Sequence, residues 1–96
     1  MQFVVTAWDG TDAEAPARRL AARPSHLVGA EALKRQGHLI AGGAILDESG
    51  RMVGSTCYVD FPDRAALDAW LAADPYVTGR VWLDIDIKPI RLAVTA

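Results

Sequence analysis

The sequence predicts one α+β domain whose elements run β-α-β-β-α-β, a four-stranded antiparallel sheet with both helices against one face. Three observations lead there. Residues 2–8 (QFVVTAW), 38–46 (HLIAGGAIL) and 52–61 (MVGSTCYVDF) are short runs of β-branched, aliphatic and aromatic types bounded by turn signals. Residues 81–88 (VWLDIDIK) alternate apolar with polar, the period of a strand. Two longer stretches, 11–36 and 63–73, instead repeat their apolar residues at helical spacing. That order is the ferredoxin-like pattern.

Each element has its own signals. The first strand stops at the turn pair Asp9-Gly10. In the first helical stretch Pro16 suits an opening turn, and Thr11 or Asp12 is placed to cap it. Pro24 removes a backbone donor, so the expectation is two helical pieces, 13–22 and 25–36, with Pro24 opening the second and Gly37 stopping it. Gly42-Gly43 in the second strand marks a bulge or a close approach. Asp47-Glu48-Ser49-Gly50 forms a hairpin turn into the third strand. Ala66, Leu67, Trp70 and Leu71 give the helix over 63–73 an apolar stripe, and Asp74-Pro75 ends it before a loop at 75–80. In the last strand Val81, Leu83, Ile85 and Ile87 should face one way and Trp82, Asp84, Asp86 and Lys88 the other, with the tail 89–96 extending it. The sheet face without helices, carrying Tyr58 and Trp82, is too amphipathic for solvent alone, which predicts a sheet-to-sheet homodimer.

Size and composition narrow the function classes. The 96 residues (10.3 kDa) make a single domain over 1–96, and 51% hydrophobic with 23% charged residues is a globular balance. A net charge of −2 argues against nucleic acid as a partner. No apolar run reaches the roughly 18–20 residues of a membrane span, and MQFVVTAWDG reads as a strand and not a leader, so the expected setting is the cytoplasm. The single Cys57 excludes an intrachain disulfide and reads as a small buried apolar residue. Two widely spaced histidines with scattered carboxylates make no metal site, and Gly42-Gly43 lacks nucleotide-loop spacing, so no cofactor is expected.

Chemistry concentrates on few residues. His26 is a candidate general acid or base and also reads as an ordinary structural histidine; His38 reads as structural. Asp74 at a helix C-terminus opposes the dipole, which suggests a further task such as orienting an imidazole, though spacing alone does not bring it to His26. Asp84 and Asp86 read as a solvated or interfacial pair.

The segments Arg23-Pro24-Ser25-His26-Leu27, Gly37-His38-Leu39, Gly42-Gly43, Gly54-Ser55 and Asp74-Pro75-Tyr76, in that order, resemble the YciI-like (YCII-related) family. The resemblance runs from about residue 2 to 90 and extends to Asp9 after the first strand. It implies ferredoxin-like domains paired as a dimeric α/β barrel, similar in fold to muconolactone isomerase and to cofactor-free monooxygenases. It also implies a histidine–aspartate active site, carried here by His26 and Asp74, with Arg23, Gly43 and Ser55 lining the cleft. Asp9 and Tyr76 join them as substrate-binding residues. The function so implied is a cofactor-independent lyase or isomerase, dehydrochlorinase-like, acting on a small, aromatic-derived molecule. Arg23 would neutralise a carboxylate or phenolate, and Ser55 would donate to a developing oxyanion. The alternative is a non-catalytic dimer that binds a small ligand or serves as an accessory module, and a cofactor-free oxygenase is a third reading.

Overall fold

A computed structural model describes residues 1–95. The elements are β1 (Gln2–Asp9), α1 (Ala15–Arg35), β2 (Leu39–Leu46), β3 (Met52–Asp60), α2 (Arg64–Ala73), α3 (Pro75–Thr78) and β4 (Trp82–Ile90). The strands form one sheet in the order β2-β3-β1-β4 with every neighbouring pair antiparallel. This is the predicted βαββαβ fold. Phe3, Val5 and Ala7 alternate along β1 into the core, where they join Val59 of β3, Leu33 of α1 and Leu67 and Leu71 of α2. Among the described residues no helix is long and apolar enough to cross a membrane.

Three details differ from the sequence expectation and a fourth decides between its alternatives, each for a local reason. First, α1 is one continuous helix through Pro24 and not two pieces. Leu20, Pro24 and Val28, four residues apart, are all exposed, so the Leu20 carbonyl that Pro24 leaves without its helical donor lies on the solvent side of the helix. Neither Thr11 nor Asp12 caps α1 through its side chain. Glu14 is the N-cap without a side-chain bond, and the Asp12 carboxylate instead grips Arg18 at 2.7 and 2.8 Å. Gly37, at φ 81°, stops the helix as expected.

Second, residues 75–78 are a helical turn within the expected loop. Pro75 sits in its first turn, and the Asp74 side chain accepts from the Tyr76 N–H as its N-cap. Asp74 therefore ends one helix and begins the next.

Third, β4 does not keep a plain alternation. Trp8 pairs with Asp84 but Asp9 with Trp82, so one extra residue, Leu83, bulges out of β4. The bulge turns Trp82 onto the helix-covered face, where it is buried, and leaves Leu83 exposed. The strand runs through Pro89, which an edge strand tolerates, and ends at Ile90, so residues 91–95 do not extend it. Ala96 lies outside the described residues.

Fourth, the register shifts of β2 fall between Leu39 and Ala41 and between Ile45 and Leu46, not at Gly42-Gly43. Gly42 instead marks a close approach: a Cβ there would stand 3.0 Å from the Cβ of Cys57.

Candidate active site

Helix α1 supplies the first wall. Arg19, Arg23, His26, Ala30 and Leu33 recur three or four residues apart, so they share one face, and that face looks onto the sheet. Leu33 fills the core, but Arg19, Arg23 and His26 put polar groups where a bundle helix would carry aliphatic ones. Between them and the sheet lies a cavity of about 260 Å³, walled on its apolar side by Val5, Ala7, Leu39 and Cys57. A cavity of about 150 Å³ takes a benzene ring, so this one has room for a single substituted ring.

His26 and Asp74 meet at its edge. Nδ1 of His26 lies 2.8 Å from Oδ2 of Asp74, whose side chain is 1% exposed. The same Oδ2 accepts the Tyr76 N–H at 2.9 Å, which fixes the carboxylate. A carboxylate oxygen accepts, so Nδ1 carries the proton and the lone pair of the neutral ring sits on Nε2. Nε2 has no protein partner among the described residues. The ring is clamped as well as bonded. It stacks on Tyr76 at 3.7 Å and 9°, and Trp82 meets it edge-on at 5.5 Å.

A second polar cluster adjoins the first. Arg19, 4% exposed, donates from Nη1 to both carboxylate oxygens of Asp9 at 2.9 and 3.0 Å. Its Nη2 donates to Oγ of Ser55 at 2.9 Å, and Trp82 Nε1 donates to the same Oγ at 3.2 Å. The guanidinium also stands 4.9 Å from the Tyr76 ring centre. Removing one partner of a buried ion pair of this kind costs about 3–5 kcal/mol, because the other charge is left unpaired.

The other ionisable cavity groups are poor bases and nucleophiles. Burial, aided by the Asp74 carboxylate, pushes the Cys57 thiol up to about 12. Burial also raises the Tyr76 phenol, against the opposing pull of Arg19 and Arg23. That leaves the imidazole of His26, with Nε2 free of protein partners among the described residues, as the cavity's candidate proton carrier.

The expected site residues are distributed as follows. His26, Asp74 and Tyr76 form one contact cluster, with Ser55 joined to it through Trp82. Arg23 is exposed and lines the cavity. Gly43 borders it with main chain, and a Cβ there would meet nothing within 4 Å. Asp9 does not line this cavity: both its oxygens are bonded to Arg19, and it lines a separate groove beside Trp8 and Pro16. His38 is structural, its Nδ1 bonded to the Asp60 carbonyl at 2.8 Å and its ring stacked on Phe61.

Comparison with known proteins identifies the family and the fold. The model of the YCII-related domain matches residues 1–91. The chain belongs to the YCII-related family. Protein YciI of Escherichia coli O6:H1 is 32% identical over 97 residues, covering 95% of this chain and 97% of its own. A protein of Haemophilus influenzae is 35% identical over 80 residues, 77% of this chain and 82% of that one. Among solved structures, 5-chloro-2-hydroxyhydroquinone dehydrochlorinase from Burkholderia phenoliruptrix, in complex with 2,5-dihydroxybenzoquinone, superposes with a TM-score of 0.82 at 18% identity. The match covers 95% of this chain and 94% of that one. An antibiotic biosynthesis monooxygenase matches with a TM-score of 0.53 at 19% identity, over 98% of this chain and all of its own. At these identities the likeness is one of fold.

Sequence patterns do not point to two residues of this candidate site. Arg19 stands one and two helical turns before Arg23 and His26, a spacing that was legible, but beside Arg18 it looks like half of a solvated pair. Trp82 was assigned to the opposite face, because no residue in VWLDIDIK announces the bulge.

Proposed function

We propose that the cavity is the active site of a cofactor-independent acid–base enzyme, a lyase or isomerase acting on a small oxygenated ring. The observation that carries this reading is the 2.8 Å contact between His26 Nδ1 and the buried Asp74 carboxylate beside an apolar cavity of ring size. Nε2 removes a proton from a hydroxyl or an acidic carbon of the substrate. Asp74 stabilises the imidazolium so formed, and Arg23 draws in the substrate's anionic group. The proton is then returned to another atom of the substrate, giving isomerisation, or chloride departs as the proton is taken, giving net loss of hydrogen chloride. Neither course changes the electron count, so a base and an oxyanion contact suffice. The dehydrochlorinase of the same fold supports the second course, and the 2,5-dihydroxybenzoquinone in that complex supports a quinone-like ring.

A second reading is favoured by one observation. Asp74 caps α3, a structural task that would hold it in place without catalysis, so the cavity would merely bind a ligand. A screen of chlorinated hydroquinones for chloride release, and of enolisable ring ketones for solvent hydrogen exchange, separates the two. The acid–base reading expects turnover that His26→Gln lowers by about 10²–10⁴-fold. Turnover indifferent to that substitution, or binding without turnover across the screen, favours the binding module. The partner we propose is a second copy of the chain, on the open face of the sheet.

A further inference from the structure

We propose that Ser55 is a donor-only contact in the cavity, held so by Arg19 and Trp82, and that it selects ligands presenting an ionised or carbonyl oxygen. The inference rests on the cavity being a ligand site, as proposed above, and adds what kind of atom it takes at Ser55.

The argument is a count of hydrogen-bonding capacity. A serine hydroxyl has two lone pairs and one proton. Arg19 Nη2 and Trp82 Nε1 both donate to Oγ, at 2.9 and 3.2 Å. A guanidinium and an indole N–H can only donate, so neither bond can be reversed. Both lone pairs are therefore filled and only the proton is left. No protein acceptor takes that proton among the described residues, and Ser55 borders the cavity. In most sites a hydroxyl rotates to suit a ligand's donor or acceptor; here it has no such choice. Arg19 Nε is itself buried without a partner. Ser55 thus holds one unspent donor and Arg19 two, its Nε–H and the second Nη2–H, and neither holds an unspent acceptor.

The consequence is selectivity by protonation state. A phenolate, enolate or quinone carbonyl oxygen accepts the Ser55 proton. A neutral phenol accepts it too, but cannot place its own proton on Oγ and must leave it unbonded or send it elsewhere. Ser55 is the contact residue, and Arg19 and Trp82 are positioning residues that act through it.

The test uses 4-nitrophenol, whose ionised form absorbs in the visible, titrated into the wild type and three variants across its ionisation range. In the wild type the bound probe is expected to ionise at lower pH than the free probe. Trp82→Phe keeps an aromatic ring but returns a lone pair to Ser55, and should reduce the preference for the ionised form by roughly three- to tenfold. Ser55→Ala should reduce it similarly, and Ser55→Thr, which keeps the hydroxyl, should restore it. Circular dichroism confirms that each variant is folded before its titration is read. A wild type that binds both forms equally, or does not bind at millimolar probe, overturns the proposal. So does a Ser55→Ala protein that keeps the full preference.

The outcome is separable from that of the acid–base reading. If His26→Gln abolishes the preference while Ser55→Ala does not, the imidazole is responsible and Ser55 is not. If the Ser55 and Trp82 variants behave as expected but no turnover depends on His26, the donor-only contact stands without the acid–base chemistry.

Discussion

Asp74 holds His26 through the same oxygen that caps α3: Oδ2 lies 2.8 Å from the imidazole Nδ1 and 2.9 Å from the Tyr76 amide nitrogen. Forty-eight residues separate the pair in sequence, and the helical turn at Pro75–Thr78 joins them in space. Because Tyr76 is also the ring against which His26 stacks, one short segment sets the height, plane and tautomer of the imidazole.

This sharing makes the effect of Asp74→Asn unusual. Where the two partners of a carboxylate use different oxygens, asparagine must offer its amide to one of them and turns the histidine tautomer around. Here a single carbonyl oxygen in the Oδ2 position can serve both donors. We expect Asp74→Asn to keep the cap and the Nδ1–H tautomer while losing the charge that stabilises the imidazolium. Turnover should fall about 10²-fold with little loss of stability. Asp74→Ala removes the cap as well, costing about 1 kcal/mol or more, and releases the ring to the tautomer mixture of free histidine. Nitrogen-15 chemical shifts of the His26 ring distinguish these outcomes directly. An Asp74→Asn ring protonated on Nε2 would contradict the shared-oxygen geometry.

The division between legible and illegible features follows the range of the physics. Hydrophobic period and turn residues act over a few positions, so the strands, the hairpin at Asp47–Gly50 and the helix stop at Gly37 could be read directly. The continuity of α1 depends on whether the Leu20 carbonyl is wet, which is a tertiary fact. Likewise the bulge at Leu83 arises in the pairing of β4 with β1, and no strand announces its partner's register. The site divides in the same way. His26, Asp74, Ser55 and Tyr76 were named through motifs, but Arg19 and Trp82 were missed because their importance lies in whom they touch.

Cys57 gives a prediction with a definite pH sign. Its thiol rises from 9.0 to about 12, chiefly through burial, so the folded protein favours the neutral form. The stability this contributes is complete below the unfolded value of 9.0 and is lost as pH rises from there through about 12. A shift of that size lowers the thiolate fraction near neutrality by about a thousandfold. Iodoacetamide at about pH 8 should therefore modify native Cys57 far more slowly than the urea-unfolded chain. Cys57→Ala should flatten the alkaline limb of the stability curve. Rapid labelling of the native protein would instead make Cys57 an accessible nucleophile at the cavity and reopen the choice of catalytic group.

The open face of the sheet carries the last prediction. Strand register puts Val4, Thr6 and Trp8 of β1 on the same side as Thr56 and Tyr58 of β3 and Asp84, Asp86 and Lys88 of β4, away from the helices. Trp8 is 44% exposed and Tyr58 38%, with the bulged Leu83 at 51%. Gly54 is fitted to this face: a Cβ there would stand 2.6 Å from the Ala7 carbonyl and 3.0 Å from the Trp8 ring, so the indole lies close against β3 where a side chain would push it away. Aromatic residues laid over a sheet centre, with carboxylates and a lysine along one edge, suit the core and rim of an interface. A second copy of the same face offers Lys88 to the partner's carboxylates and apolar surface to Trp8 and Tyr58. We expect a dimer by sedimentation equilibrium at micromolar concentration. The double substitution Trp8→Lys with Tyr58→Lys should give a folded monomer, because two charges would then be buried against like charges across the two-fold. Both positions lie on the side of the sheet opposite the cavity, so the His26 ring shifts should stay where they are. A wild type that sediments as a monomer throughout that range would remove the dimer and leave the exposed aromatic face without a partner.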